Sequence, residues 1–243
     1  MRAETRHQLK QDKFSRTTLQ VAEQTVHWTA EHKNKLITGV VIAVVVIAAA
    51  LGIWFYLEKQ DEKASVDFTK AVSTLNSPVR PAGMPPQPEY PSFASMNERA
   101  TEAHKEFQSI ANKYPHTHAA DYARYFLGVT SSQLGNFAAA ESELKPVSEY
   151  RNAELSSLAK MALASVYRNT NRTKDAIDLY RQLIQNPTTT VGKSSVQIQL
   201  AETYQAAGMN ADAKKLYEQI SKEAPQSQAA QFASSKLEQM NKQ

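Results

Sequence analysis

Residues Leu36 to Leu57 read LITGVVIAVVVIAAALGIWFYL and carry no charged side chain. A helix rises about 1.5 Å per residue, so this run reaches about 33 Å and matches a bilayer core of about 30 Å. Thr38 and the hydroxyl of Tyr56 are the polar interruptions. Trp54 and Tyr56 stand near one end, where amphipathic rings favour the headgroup boundary. The sequence predicts a transmembrane helix over 36–57, with its two flanks in different compartments. Ala48-Ala49-Ala50 offers small residues of the kind a signal peptidase cuts. Residues 1–35 precede the run, however, and it exceeds the h-region of about 7–15 residues found in cleaved leaders, so the segment reads as a retained anchor.

Orientation follows from the basic residues beside the span. The leading flank carries Arg2, Arg6, Lys10, Lys13, Arg16, Lys33 and Lys35. The stretch after the span carries Lys59, Lys63 and Lys70, diluted by Glu58, Asp61, Glu62 and Asp67. The expected topology is a cytoplasmic N-terminus and an exported C-terminal part, periplasmic in a bacterium with two membranes. The formal net charge is only +4, and most of it precedes the span. The nearly neutral C-terminal part argues against nucleic-acid binding driven by phosphate neutralisation. The basic arm suits a topology signal touching anionic lipid. There is no cysteine, which excludes disulfides, thiol nucleophiles and thiolate metal sites.

Within the arm, residues 14–35 show helical spacing. Leu19, Val21, Ala22, Thr25, Val26 and Trp28 form one rough face, with Glu23, His27, Glu31 and Lys35 opposite. A membrane-surface helix and a plain cytosolic lead-in both fit this pattern.

Past the span, alanine is abundant, glycine is scarce, and apolar residues recur three and four apart, which is helical composition. Three stretches superimpose, beginning at Asp121, Ser157 and Ser194, with starts 36 and 37 residues apart. Each has a Leu followed by a small residue: Leu127-Gly128, Leu163-Ala164 and Leu200-Ala201. Tyr167 and Tyr204 follow in the second and third, with Ser131 at that place in the first. Turns come at Gly135-Asn136, Asn171-Arg172 and Gly208-Met209; then Ala140, Ala176 and Ala213; then Leu144, Tyr180 and Tyr217. Pro187 and Pro225 close the second and third units. Small residues let two antiparallel helices approach closely while Tyr and Leu fill the gaps beside them. Gly or Asn tolerates the left-handed residue that ends a helix, and proline stops the next one.

A degenerate unit precedes these three. Ala103, Phe107, Ile110 and Pro115 match a second helix, and Ala64, Phe68, Ala71 and Leu75 supply a first-helix stripe over Gln60 to Asn76. Between them lies a proline-rich stretch, Ser77 to Phe93, expected to be an extended loop. It reads as a linker, with a polyproline-type ligand as the alternative. After Pro225, Ala230, Phe232, Ala233, Leu237 and Met240 mark a terminal helix of the kind that covers the end of a solenoid.

The repeated pattern resembles the tetratricopeptide repeat, a helix-turn-helix unit that must stack on neighbours to bury its apolar face. The expected fold is all-α: a single transmembrane helix followed by a tetratricopeptide-repeat α-solenoid. The expected divisions are an arm over 1–35, the span over 36–57, a degenerate repeat over 58–120, three repeats over 121–227 and a capping helix over 228–243. A basic arm, one span and degenerate repeats together resemble the ancillary SecYEG translocon subunit family of the YfgM type. That resemblance implies a bitopic protein of the bacterial inner membrane whose periplasmic repeats contact the SecYEG translocon and periplasmic chaperones; the expected function is a membrane-anchored scaffold that binds such partners or exported proteins. The proline-rich insertion departs from a compact repeat.

No phosphate loop, dinucleotide fingerprint, H-E-x-x-H or G-x-S-x-G motif is present. His116-Thr117-His118 reads as an inter-repeat turn rather than a metal site, and Asn171-Arg172-Thr173 is a glycosylation sequon set in a repeat turn. No enzyme activity, cofactor or metal is expected. In a tetratricopeptide array the first helices line the concave face, which points to Tyr122, Tyr125, Val129 and Gln133 in the first full unit. The second gives Met161, Ser165, Arg168 and Asn169, and the third Ile198, Glu202 and Gln205. Aromatic anchors among amides suit an extended or helical peptide. A Lys/Asn clamp for terminal carboxylates is not expected on that face, because Tyr125, Val129, Ala162, Ser195 and Gln199 stand at its positions. The alternative function is a self-associating structural subunit of the envelope, a homo-oligomer held by repeats or by Ala48 and Gly52, four apart in the span.

Overall fold

The computed structural model describes residues 33–81, 83–85 and 92–242. The helix expected over 14–35 falls almost wholly outside them. Among the described residues there are nine α-helices and no strands. They are α1 (Lys33–Asn76), α2 (Met96–Lys113), α3 (His118–Gln133), α4 (Phe137–Val147), α5 (Ala153–Asn169), α6 (Thr173–Gln185), α7 (Lys193–Ala206), α8 (Asn210–Glu223) and α9 (Gln228–Asn241). Two compact units meet in the chain between Glu58 and Lys59.

In the first unit, α1 carries the apolar run, long and apolar enough to cross a membrane. Its side chains from Ile37 to Leu57 are exposed in the isolated chain. The helix does not stop where the apolar run stops. Residues 58–65, EKQDEKAS, contain neither glycine nor proline, so nothing breaks the backbone ladder, and the same helix becomes the first helix of the degenerate repeat.

In the second unit each helix packs on the next in sequence from α2 to α9, with further contacts of α3 on α5 and of α7 on α9. The three repeat turns share one geometry. Gly135, Asn171 and Gly208 take φ values of 77°, 60° and 74°. In each turn the following N–H reaches back five residues: Asn136 to the Ser131 carbonyl at 2.9 Å, Arg172 to Tyr167 at 2.8 Å and Met209 to Tyr204 at 2.9 Å. This left-handed closure satisfies carbonyls that the helix end leaves unpaired. Helix starts are capped by side chains where the sequence provides them, with Ser95, Thr117, Asn136, Asn152 and Ser227 each accepting a backbone N–H.

Two apolar cores result. Ala64 and Ala71 of α1 pack with Ala103, Phe107 and Ile110 of α2 and with Ala123 and Leu127 of α3. Phe68 joins them, its ring centroid 5.8 Å from those of both Phe107 and Phe126, which themselves stack at 4.9 Å. The second core runs from α4 to α9 through Leu144, Tyr180, Leu183, Tyr217 and Ile220. The residues expected to permit close approach, Ala140, Ala164, Ala176, Ala201 and Ala213, are all fully buried.

The proline-rich connection leaves α1 and returns to α2 through a closed base. Arg80 N–H donates to the Phe93 carbonyl at 2.9 Å, and Phe93 N–H donates to the Pro78 carbonyl at 3.1 Å. Arg80 Nη1 adds a bond to the Ser92 carbonyl at 2.7 Å, and Arg99 Nη1 one to the Ser77 carbonyl at 2.9 Å. The loop thus begins and ends at one point beside the α1–α2 hairpin.

Candidate functional site

The expected binding surface lies on α3, α5 and α7, the first helices of the three full repeats. Spacing of three and four residues places Tyr125, Val129, Ser132 and Gln133 on one side of α3, and Leu158, Met161, Ala162 and Ser165 on one side of α5. These residues enclose a cavity of about 300 Å³, completed by Tyr180 of α6 and Gln199 of α7. Five of the eleven residues expected from the sequence therefore meet at one place: Tyr125, Val129, Gln133, Met161 and Ser165.

The other six lie around it. Tyr122 is half-buried and packs toward the core, with its ring 6.2 Å from Phe68. Arg168 Nη1 donates to Gln199 Oε1 at 3.2 Å and stands 4.0 Å from Glu202, so these residues tie α5 to α7. Ile198 packs on the second core, Gln205 is half-buried, and Asn169 is exposed at the end of α5.

Tyr125 is both wall and support. Its ring meets Phe126 edge-on at 5.0 Å, and burial pushes its phenol above the ordinary tyrosine range. Tyr180 forms the floor with 1% exposure, and burial raises its hydroxyl likewise, against smaller opposing influences from Arg168 and Thr203. Ser132, Leu158, Ala162, Tyr180 and Gln199 were not among the residues expected to bind. Leu158 lies one turn before Met161 and Ala162, so helical spacing alone points to it. Tyr180 belongs to the second helix, and its contribution depends on how the hairpin closes.

Chemically, the cavity offers aromatic and thioether surface beside two amides, Gln133 and Gln199, and the hydroxyls of Ser132 and Ser165, with no Lys, Arg, Asp or Glu in its lining. Among the described residues no three His, Cys, Asp or Glu side chains cluster as metal ligands. In the His116-Thr117-His118 turn, Thr117 caps α3, and the His118 backbone N–H donates to Asp61 at 3.1 Å.

The profile of the tetratricopeptide repeat-like domain family matches residues 26–242, nearly the whole chain. The chain belongs to that family. No curated protein matches its sequence. Tetratricopeptide repeat-like domains are typically non-catalytic modules that bind other proteins.

Proposed function

We propose that this repeat protein is a single-pass membrane scaffold whose repeat domain, on the exported side, binds polypeptide segments along its first-helix face. One observation carries the reading: the cavity joins Tyr125 and Val129 of one repeat to Met161 of the next and edges them with amides. Apolar anchors fix an extended or helical segment, and the amides satisfy its backbone. Anchoring in the membrane raises the effective concentration of weakly held partners. The resemblance to the ancillary translocon subunits names two candidates, the SecYEG translocon and periplasmic chaperones, and exported proteins are the third that a scaffold on that side would meet. In this reading the domain presents surface and performs no reaction.

The test is crosslinking in living cells with a photoreactive residue in place of Val129, and a control at exposed Lys174 of α6. Capture of a translocon or chaperone component from position 129 and not from 174 is expected, with loss of capture in Met161→Arg. Capture of further copies of this chain alone supports the envelope-subunit alternative. Val129 is a cleaner position than Tyr125, where alanine would remove packing against Phe126 together with surface.

A further inference from the structure

The other side of α5 carries a second feature. Ser156, Lys160 and Leu163 fall on the side of the helix away from Leu158, Ala162 and Ser165. There Lys160, half-buried, lines two adjoining cavities of about 420 and 500 Å³ that share Tyr150, Ser156, Lys160 and Gln182. Lys145 and Arg151 add positive charge at the lining, against Glu149 alone. Among the described residues, the Lys160 ammonium has no hydrogen bond and no ion pair. A lysine whose stem is half-buried and whose ammonium opens into the groove without a counter-ion is matched by a carboxylate.

The neighbouring repeats show what this position takes. In the register that pairs Leu163-Ala164 with Leu200-Ala201 and Tyr180 with Tyr217, Lys160 corresponds to Gln197, Gln182 to Gln219 and Asn186 to Glu223. In the third repeat the Glu223 carboxylate accepts from Gln219 Nε2 at 2.8 Å, Lys193 Nζ at 3.0 Å and Gln197 Nε2 at 3.3 Å. Those donors, Gln219 and then Lys193 foremost, hold its carboxyl below the ordinary glutamate range. In the first repeat Arg124 stands at the Lys160 position and is bonded to Asp121 at 2.8 Å and to the Pro115 carbonyl at 2.9 Å. The second repeat has Lys160 and Gln182 at the places of Gln197 and Gln219, Ser156 at the place of Lys193, and Asn186 where the third has its carboxylate, so its positive charge comes from Lys160. The Asn186 amide turns instead to the Gln182 carbonyl at 3.3 Å.

We propose that the second repeat takes its carboxylate from a partner: an Asp or Glu side chain on an exposed polypeptide segment, seated between Lys160 and Gln182 as Glu223 is seated in the third repeat. This rests on the reading of the domain as a protein-binding scaffold, but on none of the first-helix cavity residues that carry that reading. It also differs from a terminal-carboxylate clamp, since it lies on the opposite side of α5 and recognises a side chain.

The experiment is fluorescence anisotropy with the full-length protein in detergent micelles. The probe is a short labelled peptide with paired glutamates at its centre, beside the same peptide with glutamines. Tighter binding of the glutamate peptide is expected, with about a tenfold loss in Lys160→Gln, the scale of one charge-assisted contact. Asn186→Glu supplies the carboxylate within the chain, so it is expected to block the peptide and to raise the melting temperature. Equal affinity for the two peptides, no binding of the glutamate peptide, or affinity and melting unchanged by Asn186→Glu would overturn the proposal. Tighter binding of inorganic phosphate than of the peptide would overturn it too. Loss of crosslinking at position 129 with intact acidic-peptide binding sinks the first-helix reading alone; the converse result sinks this one alone.

Discussion

A methyl carbon added at Gly128 would sit 2.3 Å from Leu144 Cγ and 2.7 Å from its Cδ2. Leu144 is fully buried, so it has little freedom to withdraw. Gly128→Ala is expected to destabilise the domain by about 1–3 kcal/mol, the range for overpacking. Thermal melting followed by circular dichroism reads this, and Leu144→Ala in the same chain should return part of the loss. Tyr217 makes the opposite case. It is fully buried, its hydroxyl has no hydrogen-bond partner among the described residues, and burial pushes its pKa to about 12. Tyr217→Phe removes an unsatisfied polar atom while keeping the ring. An unchanged or higher melting temperature is expected, with a gain of up to about 1–3 kcal/mol, and a clear drop would reveal a partner for that hydroxyl. Gly128 and Tyr217 were both legible in the sequence, because packing between paired helices repeats with the unit. That the Tyr217 hydroxyl lacks a partner was not legible, since it depends on neighbours from outside the repeat.

At the scale of elements, one carboxylate ties the connection between α6 and α7 back to the start of α5. Glu154, in the first turn of α5, accepts the backbone N–H groups of Thr189 and Thr190 at 3.1 and 2.9 Å. Thr190, through side chain and backbone, is the main cause that lowers the Glu154 pKa to about 2. Because the folded value lies below the unfolded one, the tie contributes fully above the ordinary carboxyl pKa of about 4.3 and fades as pH falls toward 2. Glu154→Gln should therefore melt below the wild type at neutral pH, with the gap closing through the acid range. A gap that stays constant down to pH 2 would assign the effect to lost packing instead. The sequence foretold where the helices pair and turn, since Gly135, Asn171 and Gly208 mark left-handed closures. It did not foretell that α1 runs unbroken from the apolar run to Asn76. The expected division at 57–60 followed a change in polarity, and polarity does not end a helix; residues 58–65 hold nothing that would. The cavity was half legible for a related reason. Val129, Met161 and Ser165 follow from first-helix spacing, whereas Tyr180 comes from a second helix and depends on how the hairpin closes.

At the scale of the molecule, function depends on which side of the membrane the repeats occupy. The basic bias rests on the whole arm, Arg2 to Lys35, because the residues immediately beside the apolar run are less unequal: Lys33 and Lys35 before it, Lys59 and Lys63 after it. Short flanks count by their basic residues, while a long C-terminal part is translocated largely regardless of charge. Both considerations support the proposed orientation, with the repeats outside the cytosol. An alkaline phosphatase fused after residue 243 is expected to be active in cells, and a β-galactosidase at the same place inactive. Replacing Arg2, Arg6, Lys10, Lys13 and Arg16 with glutamine should move part of the population to the other orientation, seen as new β-galactosidase activity. If the unaltered chain gives that activity, its partners are cytosolic, and the translocon and periplasmic chaperones leave the set of candidates. The first-helix cavity and the Lys160 groove would keep their chemistry, since neither draws on the membrane, and both would have to be matched to polypeptides of the cytosol.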